Sequence, residues 1–444
     1  MNIQEAKQEI ARTLKAYFTK DENGNYAVSS IRQRPILLIG APGIGKTQIM
    51  EQVAEENQVG LVAYTITHHT RQSAIGLPLI EKKQFGGTEY SITEYTMSEI
   101  IASVYEAIEQ YGHKEGILFL DEVNCVSETL APTMLQFLQA KTFGRHKLPE
   151  GWLIVAAGNP PEYNKSVREF DVVTLDRLRR IDVEPDFEAW KNYAKKKLLH
   201  PSILAYLSIK PQYFCKIETT IDGRFFVTPR GWEDLSELIY SYERLHADMT
   251  RDIVGEYLQY PAVSKDFANY LELYYKYENQ YRVDEILDGR INESLCEKLA
   301  KAAFDEKMSV IALLLARLSA LCKGLEQRAA VLQEMKKQYG KMTERPENST
   351  EEERTAFKAD FSKKSDAYED AFDETGLRLE HAFDFMEAAF GTGQEMVLFM
   401  TELNYNYYLI RFLKDYNCER YYQYNKNLLF EEQEEKIREK LAQI

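Results

Sequence analysis

Residues 40–47 read GAPGIGKT, that is Gly40, Ala41, Pro42, Gly43, Ile44, Gly45, Lys46 and Thr47. This matches G-x-x-x-x-G-K-[ST], a loop whose backbone N–H groups cradle phosphates. Four apolar residues, Ile36 to Ile39, precede it, and a helical pattern from Gln48 to Asn57 follows. A chance glycine loop is the competing reading, and the strand before and helix after speak against it. Glycines let the backbone approach an anion closely, and the next helix presents its N-terminus to it. Lys46 is expected to reach the β- and γ-phosphates of ATP or GTP, and Thr47 to bind Mg²⁺.

Around this loop, short apolar runs alternate with helical patterns from about residue 35 to 185. The runs are Ile36–Ile39, Leu61–Ile66, Ile117–Leu120, Leu153–Ala157 and Ile181–Val183. Such alternation predicts an α/β fold with a mainly parallel sheet. Beyond residue 186 strands fade, and Glu188–Leu207 and Trp232–Leu245 read as helices. Leu314, Leu318, Leu321, Leu325, Leu332 and Met335 form an apolar stripe interrupted by Arg328. Phe361, Tyr368, Phe372, Leu379 and Met386 form a second stripe. Between them RPENSTEEE breaks the pattern and offers Ser349 or Thr350 as an N-cap, which predicts an antiparallel helical hairpin. The EEE run at 351–353 reads as a solvated helix start.

Further motifs carry chemistry. GILFLDEVN (116–124) is a buried strand ending in two carboxylates, where doubly wound sheets bind ligands. Asp121 is expected to hold Mg²⁺ through water, and Glu122 to act as general base on the attacking water. LIVAAGNP (153–160) places the Asn159 amide at a strand end, either as a phosphate and water ligand or as a plain turn residue. TLDRLRR (174–180) holds Arg177, Arg179 and Arg180, read either as solvated charges or as the source of an arginine finger. In VTPRGW (227–232), Thr228 and Pro229 start a helix with Arg230 in its first turn. A cation there opposes the helix dipole unless an anion lies opposite.

In this order the motifs resemble an AAA+ ATPase, with Walker A (GAPGIGKT), Walker B (FLDEVN), sensor 1 (Asn159), arginine finger (Arg177) and sensor 2 (Arg230). More narrowly the chain resembles the MoxR-type, helix-2-insert branch. That likeness rests on HHTRQSAIGLPLIEKKQFGGTEYSITEYTMSE (68–99), on the short hairpin KTFGRHKLPEGW (141–152) and on TPRGW. Cys125 departs from the basic residue that many members carry after the Walker B asparagine. The resemblance, which covers about residues 30–275, implies a P-loop AAA+ domain with a parallel five-stranded sheet (1–185) and a helical lid (186–276), and the residues beyond it read on their own pattern as a further all-α C-terminal region (277–444). It also implies ATP and Mg²⁺ as cofactors, a homo-oligomeric ring, usually a hexamer, and a protein client, often one with a von Willebrand A domain.

Composition bounds the alternatives. The chain has 444 residues, which implies more than one domain, and 44% of them are hydrophobic, enough for each domain to bury a core. Its formal charge of −15 disfavours phosphate backbones and anionic lipid. The five cysteines lack C-x-x-C spacing and fit a reducing cytoplasm. The N-terminus lacks a signal-peptide core, and no apolar run approaches a membrane span, the longest lying around Val310–Ala316. His68 and His69 read as insert residues rather than a metal site, and the tyrosines between 405 and 424 as helix packing. Three functions stay open: a protein-remodelling ATPase, a nucleic-acid translocase, and a nucleotide-gated scaffold with little turnover.

Overall fold

A computed structural model describes residues 1–68, 72, 74, 76–163, 167, 170–221, 223–344 and 350–426. The chain divides into two units, one of Met1–Ala189 with Thr228–Arg230, the other of Trp190–Val227 with the chain from Gly231 onward.

The first unit is built on five parallel strands in the order β2-β5-β8-β1-β9. These are β1 (Ile36–Gly40), β2 (Gly60–Thr65), β5 (Gly116–Asp121), β8 (Trp152–Gly158) and β9 (Arg179–Val183). Successive side chains in a strand point to opposite faces, and both faces here are apolar. Ile36, Leu38, Ile117, Phe119, Leu153 and Val155 face α1 (Ile3–Tyr17) and α2 (Lys46–Asn57). Leu37, Leu118, Leu120, Ile154 and Ala156 face α3 (Glu99–Tyr111) and α4 (Ala131–Ala140). This two-sided burial is why the strands read as continuous apolar runs. The short helix α5 (Val172–Leu175) precedes β9.

Two hairpins project from this frame. β3 (Pro78–Phe85) pairs with β4 (Thr88–Tyr95) inside the insert, and β6 (Thr142–Phe143) with β7 (His146–Lys147). Insert residues 69–71, 73 and 75 lie outside the described residues, so the reading of His69 does too. His68 ends a single 3-10 turn, Ile66–His68.

In the second unit three expectations are corrected. Glu188–Leu207 is not one helix. α6 (Phe187–Lys197), which begins in the first unit, stops where Leu198 turns left-handed at φ 57°. α7 (Pro201–Ile209) then starts on a proline, with the His200 ring accepting from the Ser202 N–H. Strands also persist beyond residue 186, as β10 (Lys216–Thr220) pairs antiparallel with β11 (Gly223–Val227). Half of that ribbon is exposed and only Val227 is buried, so it carries no buried apolar run to announce it.

The third correction concerns hydropathy. After α8 (Pro229–Leu245), α9 (Arg251–Tyr257), α10 (Pro261–Tyr281), α11 (Val283–Leu287) and α12 (Glu293–Ala300) comes α13 (Phe304–Glu344). By length and composition α13 is apolar enough to cross a membrane, since an 18-residue stretch of it has a mean hydropathy of 1.7. Counting uninterrupted apolar residues stopped short at Arg317. Of that stretch 61% is buried within the protein, with Val310, Leu314 and Leu318 fully enclosed.

α13 packs antiparallel on α14 (Glu351–Phe390). Tyr339 stacks on Phe357 at 6.0 Å, and Arg328 donates to the Ala367 carbonyl at 3.3 Å. Thr350 is the N-cap of α14 and forms a capping box with Glu353, while Ser349 lies outside the described residues. α15 (Gln394–Asn404) and α16 (Tyr407–Asp415) follow. Of the tyrosines from 405 to 424, Tyr416 packs on Phe412 and Phe372 and Tyr424 on Phe383, as helix packing requires, whereas Tyr405, Tyr407 and Tyr422 are exposed, with Lys195 over Tyr405 and Lys196 over Tyr407.

A buried ion-pair cluster joins the two ends of this unit. Glu402 on α15 accepts from Lys191 at 2.5 Å and Lys195 at 2.6 Å, both on α6, and all three side chains are largely buried. Burial alone would raise the Glu402 carboxyl, but the Lys195 and Lys191 ammonium groups outweigh it and hold the group below its ordinary value. A depressed carboxyl contributes stability above its unfolded pKa and loses it as pH falls through the folded one. Glu402→Gln should therefore destabilise the protein by about 3–5 kcal/mol at neutral pH, because two buried cations lose their carboxylate. The gap to wild type should narrow below roughly pH 4. Urea midpoints at both pH values check this, and a gap that does not depend on pH would show that the pair contributes through packing alone.

Candidate nucleotide site

The site grows from the ends of three neighbouring strands. Ile39 pairs with Gly158 and Leu120 with Ala156, so the carboxyl ends of β1, β5 and β8 lie level. In such sheets ligands bind outside these ends. From β1 the chain turns through a loop in which Gly43 (φ 76°) and Gly45 (φ 93°) adopt left-handed backbone, and α2 starts at Lys46. L-residues disfavour that region, so glycine is what lets the loop close here. A Cβ on Gly43 would lie 3.0 Å from Thr228 Oγ1, and the Arg230 N–H donates to the Gly43 carbonyl at 3.2 Å. TPRGW therefore begins against the phosphate loop.

Lys46 is buried, and its Nζ donates to the carbonyls of Gly40 (2.8 Å) and Ala41 (2.9 Å) and to Asn159 Oδ1 (3.1 Å). Burial pushes its ammonium down to about 8; Asp121 opposes the shift, Arg230 adds to it and Glu122 opposes it. A polyanion in the loop would compensate this charge, so the Lys46 environment fits a nucleotide phosphate. Thr47 donates to Asp121 Oδ2 at 2.9 Å, which places a hydroxyl and a carboxylate together as oxygen donors for a hard divalent cation.

Glu122 has a left-handed backbone at φ 56°, a conformation L-residues rarely adopt, and its N–H donates to Asp121 Oδ1 at 2.9 Å. Such strain, about 1–3 kcal/mol, gathers where function needs a side chain aimed. Thr67, just past β2, donates to Glu122 Oε2 at 2.8 Å. Sequence reading missed Thr67, because its place beside Glu122 follows from the pairing of Thr65 with Asp121, which only the aligned strands reveal.

Asn124 is also a new member. Its Nδ2 donates to the Asn159 carbonyl at 2.8 Å, and its Oδ1 accepts from the Asn159 N–H at 3.3 Å. Its side chain is buried and sits so close to Gly158 that a Cβ there would approach within 2.5 Å. One amide thus clamps the turn that holds Asn159 to the turn that follows β5, next to Asp121 and Glu122. Next to the loop a cavity of about 530 Å³ is lined by Gly40, Ala41, Asn124, Asn159 and Tyr163, while Lys46 and Thr47 stand outside its lining.

The structure thus gathers Gly40–Thr47, Asp121, Glu122, Asn159 and Arg230 at one edge of the sheet. The three arginines of TLDRLRR are spent differently. Arg179 pairs with Glu9 and donates to Thr13 Oγ1 at 2.6 Å, and Arg180 pairs with Asp182 at 2.7 Å. Arg177 is exposed and donates to the neutral Gln139 amide.

Lys46→Ala should abolish tight ATP binding, measured by titration calorimetry, because the phosphates lose their buried cation. Unchanged affinity would overturn the reading of the loop. Thr67→Val should leave affinity intact and raise basal turnover about two- to ten-fold, the worth of one net hydrogen bond restraining Glu122. A fall in turnover would mean that Thr67 aims Glu122 rather than restrains it.

No curated protein matches the chain. Residues 35–178 match the family described as AAA domain (dynein-related subfamily). The matched segment starts just before β1 and ends just before β9, so it contains Lys46, Thr47, Asp121, Glu122, Asn159 and Arg177, whereas Arg179, Arg180 and Arg230 lie beyond it. Residues 35–178 are thus an AAA domain of the dynein-related subfamily, a P-loop nucleotide-binding domain of the ATPase type.

Proposed function

We propose that the protein is an ATP-hydrolysing machine of the MoxR type that works as a homo-oligomeric ring, a hexamer, and remodels or helps assemble a partner protein. The proposed client carries a von Willebrand A domain, and a cytoplasmic location belongs to the same reading, supported by five free cysteines. AAA domains commonly form rings, which supports the oligomeric part of this reading. The observation that supports hydrolysis most is the convergence of two hydrogen-bonded groups, Lys46 with Asn159 and Thr47 with Asp121 and Glu122, which the adjacent residues Lys46 and Thr47 bring side by side.

In this reading the phosphate loop and Lys46 bind the β- and γ-phosphates of ATP. Mg²⁺ held by Thr47 and Asp121 would neutralise phosphate charge when bound. The Asn159 amide turns from Lys46 towards the γ-phosphate and the attacking water. Glu122, released from Thr67, takes a proton as the water oxygen bonds to the γ-phosphorus. The bond to the β–γ bridging oxygen breaks, giving ADP and phosphate.

Charge that builds in the transition state needs further cations. Arg230 supplies one within the subunit. Arg177 supplies another to the neighbouring subunit, since Arg179 and Arg180 are neutralised by carboxylates of their own chain.

Specific ATPase activity should therefore rise with protein concentration until rings saturate. Arg177→Ala should bind ATP normally and lose about three orders of magnitude in turnover. Glu122→Gln should bind ATP and hydrolyse it very slowly. Mixing the two should restore part of the activity, because some interfaces then join an intact Glu122 to an intact Arg177. Activity that stays flat on dilution into monomer, with a mixture no better than its parts, would rule out a finger supplied in trans.

A further inference from the structure

We propose that Gln139 is a positioning residue for Arg177, holding the guanidinium in place without cancelling its charge. The inference rests on the reading of Arg177 as a finger and adds how this chain presents it. Arg177 Nη1 donates to Gln139 Oε1.

Both ends of this contact are mounted on anchored backbone. Gln139 is the penultimate residue of α4 and follows Phe137 and Leu138, both fully buried. Phe137 stacks on Phe143 at 4.0 Å, and the Lys141 N–H closes the helix on the Phe137 carbonyl at 2.7 Å. Arg177 donates its own N–H to the Thr174 carbonyl at 3.1 Å and precedes the buried Leu178. The side chains meet at the surface, but neither mount is loose.

The chemistry of the partner separates Arg177 from its neighbours. A carboxylate beside a guanidinium offsets its charge, as Glu9 does for Arg179 and Asp182 does for Arg180. Asp171 lies within electrostatic reach of Arg177, yet its carboxylate already accepts from the Thr174 N–H at 2.7 Å. Thr174 is the main cause of the lowered Asp171 pKa and Arg177 a minor one. An amide oxygen is a neutral acceptor, so it takes one of the five guanidinium protons and leaves the full positive charge and the other donors for phosphate oxygens. An exposed arginine without such a partner would spread over many rotamers. Gln139 narrows them before a neighbouring site arrives.

The test uses the full chain at ring-forming concentration. Gln139→Glu should capture the guanidinium as an ion pair and lower kcat about ten- to hundred-fold at unchanged KM. Gln139→Ala should lower kcat about two- to ten-fold, since it removes one neutral hydrogen bond. Neither change should add to the defect of Arg177→Ala. Lys46→Ala subunits bind no ATP but present an intact Arg177 and Gln139, so mixing them with Gln139→Glu subunits should recover activity.

The outcomes separate the two ideas. Wild-type turnover in Arg177→Ala overturns the finger reading and this proposal with it. A crippled Arg177→Ala beside a fully active Gln139→Glu overturns the proposal alone. Loss in Gln139→Glu that adds to Arg177→Ala, or that Lys46→Ala subunits fail to rescue, assigns Gln139 a structural role and also overturns it. If Gln139→Glu does not fold, the Gln139→Ala cycle with Arg177→Ala decides the question in the same terms.

Discussion

The site depends on a buried ammonium. Lys46 lies at the carboxyl end of the sheet, surrounded by two loop carbonyls and one side-chain amide, and burial disfavours its charge. Oxygen dipoles only partly compensate a buried cation. Around Lys46 the architecture is arranged to make that charge tolerable without neutralising it. The parallel strands bring Gly40, Asp121 and Asn159 level, the left-handed glycines close the loop, and the start of α8 lies against it. A buried ammonium whose direct partners are all neutral oxygens is ready to take a phosphate.

A second theme is restraint. Glu122, the group read as the base, is aimed by a left-handed backbone and held by Thr67. Asn159 is clamped through Asn124 and directed at Lys46. Arg177 leans on a neutral amide. Each reactive group is oriented by modest interactions, of about 0.5–1.5 kcal/mol apiece, which a bound phosphate would outweigh.

Legibility from sequence followed the range of the interaction. The phosphate loop, the Walker B strand and the five-stranded sheet are local patterns, and apolar runs buried on both faces are hard to mistake. Thr67 and Asn124 were not legible because their roles appear only when strands distant in sequence align. The same holds for Arg179, whose partner Glu9 is 170 residues away. The β10–β11 ribbon escaped notice because half its residues are exposed and only Val227 is buried, although the Asp222–Gly223 pair in the sequence is a hairpin signal. Arg317 hid the apolar length of α13, since one charge ends a run without ending a buried face.

The central claim is that this site activates water against the γ-phosphate of ATP. The most direct measurement is oxygen-isotope tracing, with ATP turned over in water enriched in oxygen-18 and the released phosphate analysed by mass. The account predicts that every phosphate produced carries at least one heavy oxygen, and that production collapses when Glu122 becomes glutamine. Consumption of ATP that yields unlabelled phosphate or a phosphorylated acceptor would contradict it.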